Sequence, residues 1–382
     1  MKNNKRLRVG VIFGGRSSEH EISLRSALTV MSAMDANKYE VVPIGIDRSG
    51  KWFLKDDALR LLAEKTERLG ALDSEGTQVT LLPHPEAQAL VPANPGDAAL
   101  ATAPGAPRLE GELDVMFPVL HGTYGEDGTV QGLFELAGLA YVGAGVLGSA
   151  IGIDKDAQKR LLRDAGVPIV RYHAVTRANY QAHPTQAARF ARALRFPVFV
   201  KPNSLGSSVG VSKVKRAFEL KAALEDAFQY DRKALIEESC EGRELECSVL
   251  GNENPQVSLP GEIILKGAHE FYSYESKYVD ENGSAVQIPA DLPRAIVKKI
   301  QAMAIAAFKA LDLRGMARVD FLARRDLKKI YVNEVNTIPG FTAISMYPKL
   351  WEVSGLPLPK LIDRLIELAL EEHREREALS VT

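Results

Sequence analysis

Two short segments near the C-terminal end carry the residue types of a metal and phosphate site. Residues 318–321 read Arg-Val-Asp-Phe, and residues 333–336 read Asn-Glu-Val-Asn. Each segment alternates apolar and polar residues, which predicts a β-strand whose polar side chains share one face. Asp320, Glu334 and Asn336 would then supply two carboxylates and an amide oxygen, the hard ligands that suit Mg²⁺. Either segment alone is more typical of an ordinary strand with solvated charges, but the two together favour a site.

The segment 201–210, Lys-Pro-Asn-Ser-Leu-Gly-Ser-Ser-Val-Gly, has the composition of a phosphate-binding loop. Small residues let backbone N–H groups approach phosphate oxygens, hydroxyls add donors, and Lys201 adds a positive charge. The chain has no Walker motif, because Gly50-Lys51 is followed by Trp52 and the required spacing is absent. For this loop alone, a flexible connection between two strands of a hairpin is an equally open interpretation.

A candidate adenine-binding hinge follows. The run Leu-Ile-Glu-Glu at 235–238 ends a strand with two acceptors, Glu237 and Glu238, and Glu244 could hold a ribose. Taken singly, such glutamates are more typical of surface charges.

A competing signal is the Gly-x-Gly-x-x-Gly spacing at 143–148, which resembles a dinucleotide fingerprint. The fingerprint needs an acidic residue about 20 positions further on, at the end of the next strand. Here the residues at 154–159 read as helix, so nothing is placed to hold a ribose. Glycines that pack an interdomain turn are the preferred interpretation.

The elements that must position these residues alternate between strand and helix. Strands are predicted at 7–13, 41–46, 113–120 and 197–201, and helices at about 19–34, 292–311 and 359–378. This order predicts a parallel α/β layer at the N-terminal end. Residues 83–107 are rich in Pro, Ala and Gly, which predicts an exposed insertion without a function.

Bulk properties are those of a globular enzyme. The 382 residues suffice for two or three domains, and 46% apolar with 25% charged residues argues against disorder. A formal charge of -1 predicts neither a nucleic-acid nor a membrane partner. Cys240 and Cys247 make neither a disulfide framework nor a zinc site. The apolar run 9–13 is too short for a signal peptide, so we expect a cytoplasmic protein.

Six motifs, in the same order along the chain, resemble those of the D-alanine–D-alanine ligases of the ATP-grasp superfamily. They lie at 14–23, 121–129, 206–210, 271–278, 318–320 and 333–340. The resemblance covers nearly the whole chain and leaves out mainly the Pro/Ala-rich insertion.

The resemblance implies an α/β protein with a three-domain ATP-grasp fold, α+β in its ATP-grasp part. The expected domains are an N-terminal α/β substrate domain at 1–143, a central lid at 144–240 and a C-terminal catalytic domain at 241–382. The implied reaction joins two D-alanine molecules, with ATP, through an acyl phosphate, for peptidoglycan precursor synthesis. A homodimer is also implied.

The same resemblance assigns the cofactor site. Asp320, Glu334 and Asn336 are expected to hold two Mg²⁺ ions, for which Mn²⁺ can substitute, against the ATP phosphates. The implied nucleotide-binding residues are Lys155, Lys201, Ser208, Glu237, Glu238, Cys240, Glu244, Lys277 and Asn333.

Substrate and catalytic residues map in the same way. Glu19 would pair with the ammonium of the first D-alanine, in a hydrogen-bond network with Ser207 and Tyr278. Arg318 and the N–H of Gly340 would form the oxyanion hole.

Three further positions are expected near the substrates. His121 would lie near the acyl site; a lone histidine is more often structural, but its glycine-rich turn favours a site role. Ser345 and Met346 match positions that bind the carboxylate of the second D-alanine.

Relatives that use D-lactate lack a tyrosine at the position of Tyr278, so the dipeptide is favoured over the depsipeptide, and D-serine stays open as an acceptor. Two alternatives from other classes are a nicotinamide-dependent dehydrogenase, from 143–148, and a catalytically silent nucleotide-binding regulator. The second would require loss of a metal ligand or of Arg318, and neither is lost.

Overall fold

The computed structural model of the protein describes residues 5–54, 78–85, 90–93, 112–265 and 284–380. Three β-sheets and the helices that cover them account for the secondary structure of these ranges. Within them, no helix combines the length and the apolar character that crossing a bilayer requires.

The N-terminal sheet consists of β1 (Leu7–Gly14), β2 (Tyr39–Ile46), β3 (Trp52–Leu54), β4 (Gln78–Leu81), β5 (Leu90–Pro92), β6 (Val115–Pro118) and β7 (Ala140–Tyr141). The strand order is β5-β4-β3-β2-β1-β6-β7. The strands β2, β1, β6 and β7 are parallel, and helices α1 (His20–Ala33) and α2 (Thr129–Leu136) make crossovers between them. The predicted parallel layer is therefore confirmed, with the first strands and helix within two residues of their expected ends.

The prediction that residues 83–107 form an exposed insertion is wrong at strand β5, although residues 83–85 are exposed. Strand β5 pairs with β4 at the sheet edge, and its Leu90 and Val91 are buried. A three-residue strand is too short to show a periodicity, and its Pro92 is tolerated because an edge strand can lack one donor. The composition of residues 83–107 therefore gave no indication of this strand. Residues 86–89 and 94–107 lie outside the described part.

The central layer begins with α3 (Val146–Ile153) and α4 (Lys155–Asp164). Its sheet contains β8 (Tyr172–Thr176), β9 (Val198–Pro202), β10 (Ser212–Val214) and β11 (Lys233–Glu238), in the order β10-β9-β11-β8 and antiparallel throughout. Helices α5 (Arg177–Ala182), α6 (Pro184–Leu194) and α7 (Leu220–Tyr230) accompany it. The glycine-serine loop joins β9 to β10, so it is a hairpin connection supported by a packed sheet.

The C-terminal sheet contains β12 (Gly242–Leu250), β13 (Gln256–Val257), β14 (Gly261–Leu265), β15 (Ser284–Gln287), β16 (Met316–Arg324) and β17 (Ile330–Asn336). The order is β15-β14-β12-β16-β17, with β13 also on β12. Helix α8 (Arg294–Ala310) buries Ile300, Ala304 and Phe308 in a core with Val319 and Phe321 of β16. Because side chains alternate along β16, Arg318 and Asp320 face away from this core.

A β-bulge interrupts the pairing of β16 with β17. Asp320 lies opposite Glu334, but Phe321 lies opposite Val332, so Asn333 is an extra residue in β17. Strict alternation would put Asn333 on the opposite face from Glu334, whereas the bulge lets both side chains line the same cavity.

The N-terminal and C-terminal ends of the chain share one hydrophobic core. Helices α9 (Met346–Val353) and α10 (Leu358–Glu377) contribute Leu361, Leu365 and other apolar residues to a cluster with Val115 and Phe117 of β6. The carboxylate of Asp363 also accepts hydrogen bonds from Lys38 Nζ at 2.7 Å and Tyr39 Oη at 2.9 Å. The last helix of the chain thus covers the first sheet.

The glycines at 143–148 lie between β7 and α3, where they pack against the C-terminal layer. A Cβ on Gly148 would lie 2.9 Å from Leu313 Cδ2 and 3.0 Å from the Asp312 carbonyl. Downstream, Asp154 caps α4 by accepting a hydrogen bond from the Ala157 N–H. This arrangement supports the packing interpretation over a dinucleotide site.

Candidate active site

The two C-terminal segments converge as their alternation predicts. Strands β16 and β17 are antiparallel neighbours, which places Asp320 opposite Glu334 and Arg318 opposite Asn336. The amide of Asn336 donates to Asp320 Oδ2 at 3.0 Å. Two carboxylates and an amide therefore meet on one sheet face.

The Arg318 guanidinium is held by carboxylates. Its Nε donates to Asp320 Oδ1 and its Nη2 to Asp320 Oδ2, each at 2.7 Å, and its Nε lies 3.0 Å from Glu246 Oε2. Burial by itself would lower the pKa of Arg318, but the charges of Asp320 and Glu246 outweigh it and hold the pKa well above its usual range. This side chain stays charged at every pH at which the protein functions.

The donor set of Asp320, Glu334 and Asn336 fits a hard divalent cation. All three offer oxygen, and the carboxylates already have cationic partners in Arg318 and in Lys155, whose Nζ lies 3.8 Å from Glu334 Oε2. In the described ranges no group of three or more His, Cys, Asp and Glu side chains is arranged to hold a metal by itself. Such a site suits Mg²⁺, which completes its shell with water and phosphate oxygens.

Two lysines pair with Glu237, and a third, Lys155, lies near enough for its pKa to respond to the charge of Glu237. Glu237 Oε1 lies 3.2 Å from Lys159 Nζ, and Glu237 Oε2 lies 2.7 Å from Lys201 Nζ. Burial works to raise the pKa of Glu237, yet the two ammonium groups hold it below its usual range. Burial lowers the pKa of Lys159 to about 8 and also lowers that of Lys155. This positive cluster attracts polyanions.

The glycine-serine loop is closed against the N-terminal layer. Ser207 Oγ donates to Glu19 Oε1, and a Cβ on Gly206 would lie 2.8 Å from Glu19 Oε2. Ser207 and Ser208 have φ angles of 52° and 57°, the left-handed region in which a side chain is unusual. Lys155 Nζ donates to the Leu205 carbonyl at 2.6 Å. The loop is therefore held at both sides by predicted site residues.

A cavity of about 620 Å³ opens between the central and C-terminal sheets. Its lining includes every described residue of the predicted nucleotide site: Lys155, Lys201, Ser208, Glu237, Glu238, Cys240, Glu244 and Asn333. The metal candidate Glu334 also lines it. The volume and the polar lining fit a nucleotide.

The hinge glutamates differ in their surroundings. Glu237 is buried among the lysines, whereas the carboxylate of Glu238 is engaged by Arg171 Nε at 2.8 Å and Nη2 at 2.9 Å. Cys240 is half-buried, and burial raises the pKa of its thiol, so it contributes as an apolar wall.

His121 is buried in the glycine-rich turn that follows β6. Its Nδ1–H donates to the Ile338 carbonyl at 3.0 Å, and its Nε2 lies 3.4 Å from Ser26 Oγ. Burial lowers the pKa of His121, which favours the neutral ring. In the same turn, Glu126 accepts hydrogen bonds from the N–H groups of Gly122 at 2.7 Å and Ile338 at 3.3 Å. Burial, assisted by the charge of Glu19, raises the pKa of Glu126 to about 8.

The loop after β17 brings together three predicted positions. A Cβ on Gly340 would lie 2.8 Å from Ser345 Oγ, which explains the need for glycine there. Ser345 Oγ accepts a hydrogen bond from the Thr342 N–H at 3.0 Å and precedes α9, in which Met346 is the first, buried residue. Lys277 and Tyr278 lie outside the described residues.

Sequence reasoning missed two charged residues of the site. Lys159 is fully buried, and its Nζ donates to the Asn333 carbonyl at 3.0 Å; its position four residues after Lys155 in one helix was the available signal. Glu246 lies two residues after Glu244 in β12, hence on the same face.

Comparison with known proteins agrees with this architecture. The family model described as the D-ala D-ala ligase N-terminus matches residues 8–144, and that of the D-ala D-ala ligase C-terminus matches residues 161–367. D-alanine–D-alanine ligase A of Chromobacterium violaceum is 47% identical over 98% of each chain. The enzyme of the same name from Salmonella typhimurium is 45% identical over 99% of each chain.

Solved structures agree as well. A D-alanine–D-alanine ligase from Coxiella burnetii has a TM-score of 0.81 at 40% identity and covers 98% of this chain and 96% of its own. The VanG D-Ala:D-Ser ligase from Enterococcus faecalis has a TM-score of 0.81 at 35% identity, covering 96% of this chain and 100% of its own. The predicted α/β fold of ATP-grasp type is thereby confirmed. The chain belongs to the D-alanine–D-alanine ligase family.

Proposed function

We propose that this protein joins two D-alanine molecules to D-alanyl-D-alanine in an ATP-dependent reaction that supplies peptidoglycan precursors. The single observation that carries this proposal is the meeting of Asp320, Glu334 and Asn336 with Arg318 at the edge of the lysine-lined cavity. That arrangement suits transfer of a phosphoryl group to a carboxylate and stabilisation of the charge that develops.

The nucleotide would lie in the 620 Å³ cavity. Lys155, Lys201 and the Ser208 region would hold phosphate oxygens, the hinge at Glu237–Cys240 the adenine, and Glu244 the ribose. Asp320, Glu334 and Asn336 would hold two Mg²⁺ ions, which would supply positive charge against the phosphates; Mn²⁺ is an expected substitute. Lys277 would reach the γ-phosphate.

Substrate residues act on the other side of the transferred phosphoryl group. Glu19 would bind the ammonium of the first D-alanine, and its hydrogen bond with Ser207 keeps the glycine-serine loop closed over it. Closure excludes water, so the acyl phosphate meets the amine of the second D-alanine before it hydrolyses. Tyr278 would complete this network.

The second half-reaction uses the Gly340 loop. The Ser345 hydroxyl and the Met346 N–H would bind the carboxylate of the second D-alanine, close to Gly340. The guanidinium of Arg318 and the N–H of Gly340 would then stabilise the oxyanion of the tetrahedral intermediate. Neutral His121, beside Ile338, orients this loop against the acyl site.

We also propose the domain boundaries 1–143, 144–240 and 241–382, with the reaction at their junction. The position of the cavity between two sheets, closed by a loop that contacts Glu19 of the first layer, supports this division. Assembly as a homodimer in the cytoplasm is part of the proposal.

The decisive experiment measures phosphate release from MgATP with D-alanine, L-alanine, D-lactate or D-serine, and determines product mass. D-alanine should suffice alone and yield the dipeptide. Neither D-lactate nor D-serine should cause phosphate release in the absence of D-alanine. Phosphate release that does not depend on D-alanine, or absence of dipeptide, would refute the proposal.

A further inference from the structure

A third carboxylate stands beside the two predicted metal ligands. Glu246 of β12 lies opposite Asp320 of β16, which lies opposite Glu334 of β17. The three side chains form a row across neighbouring strands on one sheet face. Like charges placed side by side destabilise a sheet unless cations offset them.

Arg318 is the cation that Asp320 and Glu246 share. Asp320 receives two hydrogen bonds from the guanidinium at 2.7 Å, and Glu246 Oε2 lies 3.0 Å from Nε. The side chain of Glu246 is only 5% exposed, against 20% for Arg318. Such burial of a carboxylate is costly without a charged partner, and the Arg318 guanidinium is one such partner.

The Asp320 carboxylate cannot coordinate a metal ion and also keep both of its hydrogen bonds with Arg318. When its oxygens turn to a divalent cation, its paired hydrogen bonds with the guanidinium are weakened or lost. A buried guanidinium left without a carboxylate partner is unfavourable. It would therefore change position, or it would keep its hydrogen bonds with Asp320 and so weaken metal binding. Among the described carboxylates, Glu246 is the other one that forms an ion pair with Arg318.

We propose that Glu246 is a positioning residue, which holds Arg318 at the acyl site while Asp320 ligates the metal. This inference rests on the proposed function, because that function gives Arg318 and Asp320 their roles. Glu246 therefore makes metal loading compatible with an ordered oxyanion hole, and it acts through Arg318 without touching substrate.

The first test measures Mn²⁺ binding by electron paramagnetic resonance, with a non-hydrolysable ATP analogue present. Glu246→Gln keeps the shape of the side chain but removes its negative charge. The Arg318 guanidinium should then bind Asp320 more strongly and compete with the metal ion for that carboxylate. Mn²⁺ affinity should fall on the order of tenfold, the usual effect of losing a partner of a metal ligand. Glu246→Asp should recover part of the loss. The matched control is Asp363→Asn, which removes a carboxylate from the α10 contact and should leave Mn²⁺ affinity unchanged.

A double-mutant cycle tests whether Glu246 acts through Arg318. In an Arg318→Met background, Glu246→Gln should no longer weaken Mn²⁺ binding, because the guanidinium that competes for Asp320 is gone. An equal loss in both backgrounds would make Glu246 a direct metal ligand and overturn the proposal. Wild-type Mn²⁺ affinity in Glu246→Gln would overturn it as well.

Steady-state kinetics supply a second readout. Glu246→Gln should lower kcat, and the Mg²⁺ concentration required for half-maximal rate should rise with it, whereas a purely structural role would leave the Mg²⁺ requirement unchanged. If Glu246→Gln does not fold, Glu246→Asp carries both tests. The binding cycle needs no turnover, so absence of dipeptide from the wild-type protein would refute the proposed reaction while leaving this coupling measurable.

Discussion

The contact between Gly206 and Glu19 gives a sharp test of loop closure. Gly206 does not have a positive φ, so its backbone accepts alanine without strain. The added Cβ, however, would lie 2.8 Å from Glu19 Oε2. The carboxylate must retreat by about 0.6 Å to reach an ordinary contact of 3.4 Å. Gly206→Ala should therefore disturb the hydrogen bond from Ser207 to Glu19 and little else.

The size of the effect follows from that hydrogen bond. A hydrogen bond to a charged group contributes about 1.5–3 kcal/mol, and about 1.4 kcal/mol corresponds to a factor of ten. We expect kcat/KM for D-alanine to fall by about 10- to 150-fold, with thermal stability nearly unchanged because the loop is partly exposed.

The assay is phosphate release at varied D-alanine concentration, with two comparison variants. Ser207→Ala removes the same hydrogen bond without adding a contact, so Gly206→Ala/Ser207→Ala should be little worse than either single variant. Gly132→Ala, in α2, meets no atom within 4 Å and should leave activity unchanged while stabilising the helix by about 0.5–1 kcal/mol.

Two results would refute the reasoning. One is a kcat/KM within about twofold of wild type in Gly206→Ala, which would mean that the loop does not depend on this hydrogen bond. The other is a double variant whose loss equals the product of the two single losses, because independent effects multiply in that way.

Three further predictions test the site and the core. Arg318→Ala and Glu334→Gln should each abolish turnover while circular dichroism shows a folded protein; wild-type rates would contradict the mechanism. Glu126 keeps its proton up to about pH 8 in the folded state but releases it near 4.5 when unfolded, so its contribution to stability falls as the pH rises across this window. Glu126→Gln should flatten that dependence in urea titrations between pH 5 and 8, and an unchanged slope would refute it. Leu365→Ala should lower the free energy of unfolding by about 2–5 kcal/mol, against no measurable change for the exposed Leu379→Ala; equal effects would contradict the shared core.

The metal and phosphate site could be predicted from sequence because strand alternation is a strict local rule. Once 318–321 and 333–336 read as strands, the faces of Asp320 and Glu334 follow from a period of two. The bulge at Asn333 could not be read in this way, since one extra residue leaves no compositional trace. Only the resemblance to the ligase family assigned Asn333 to the nucleotide site.

Other features depend on contacts between distant segments. A lysine in a helix, such as Lys159, is expected at the surface. Its burial is possible because Glu237, on strand β11 of the central sheet, pairs with its ammonium group. The apolar pattern around Leu361 and Leu365 predicts an amphipathic helix, but it does not say which sheet that helix covers. Strand β5 was missed because three residues show no periodicity.

The placement of α10 over β6 also has a consequence during synthesis. A ribosome releases the first sheet early, yet Leu361 and Leu365 leave the exit tunnel only after all three sheets have been synthesised. Until then Val115 and Phe117 lack their apolar cover, so a nascent chain that stops short of α10 should bind chaperones and, if expressed alone, should aggregate.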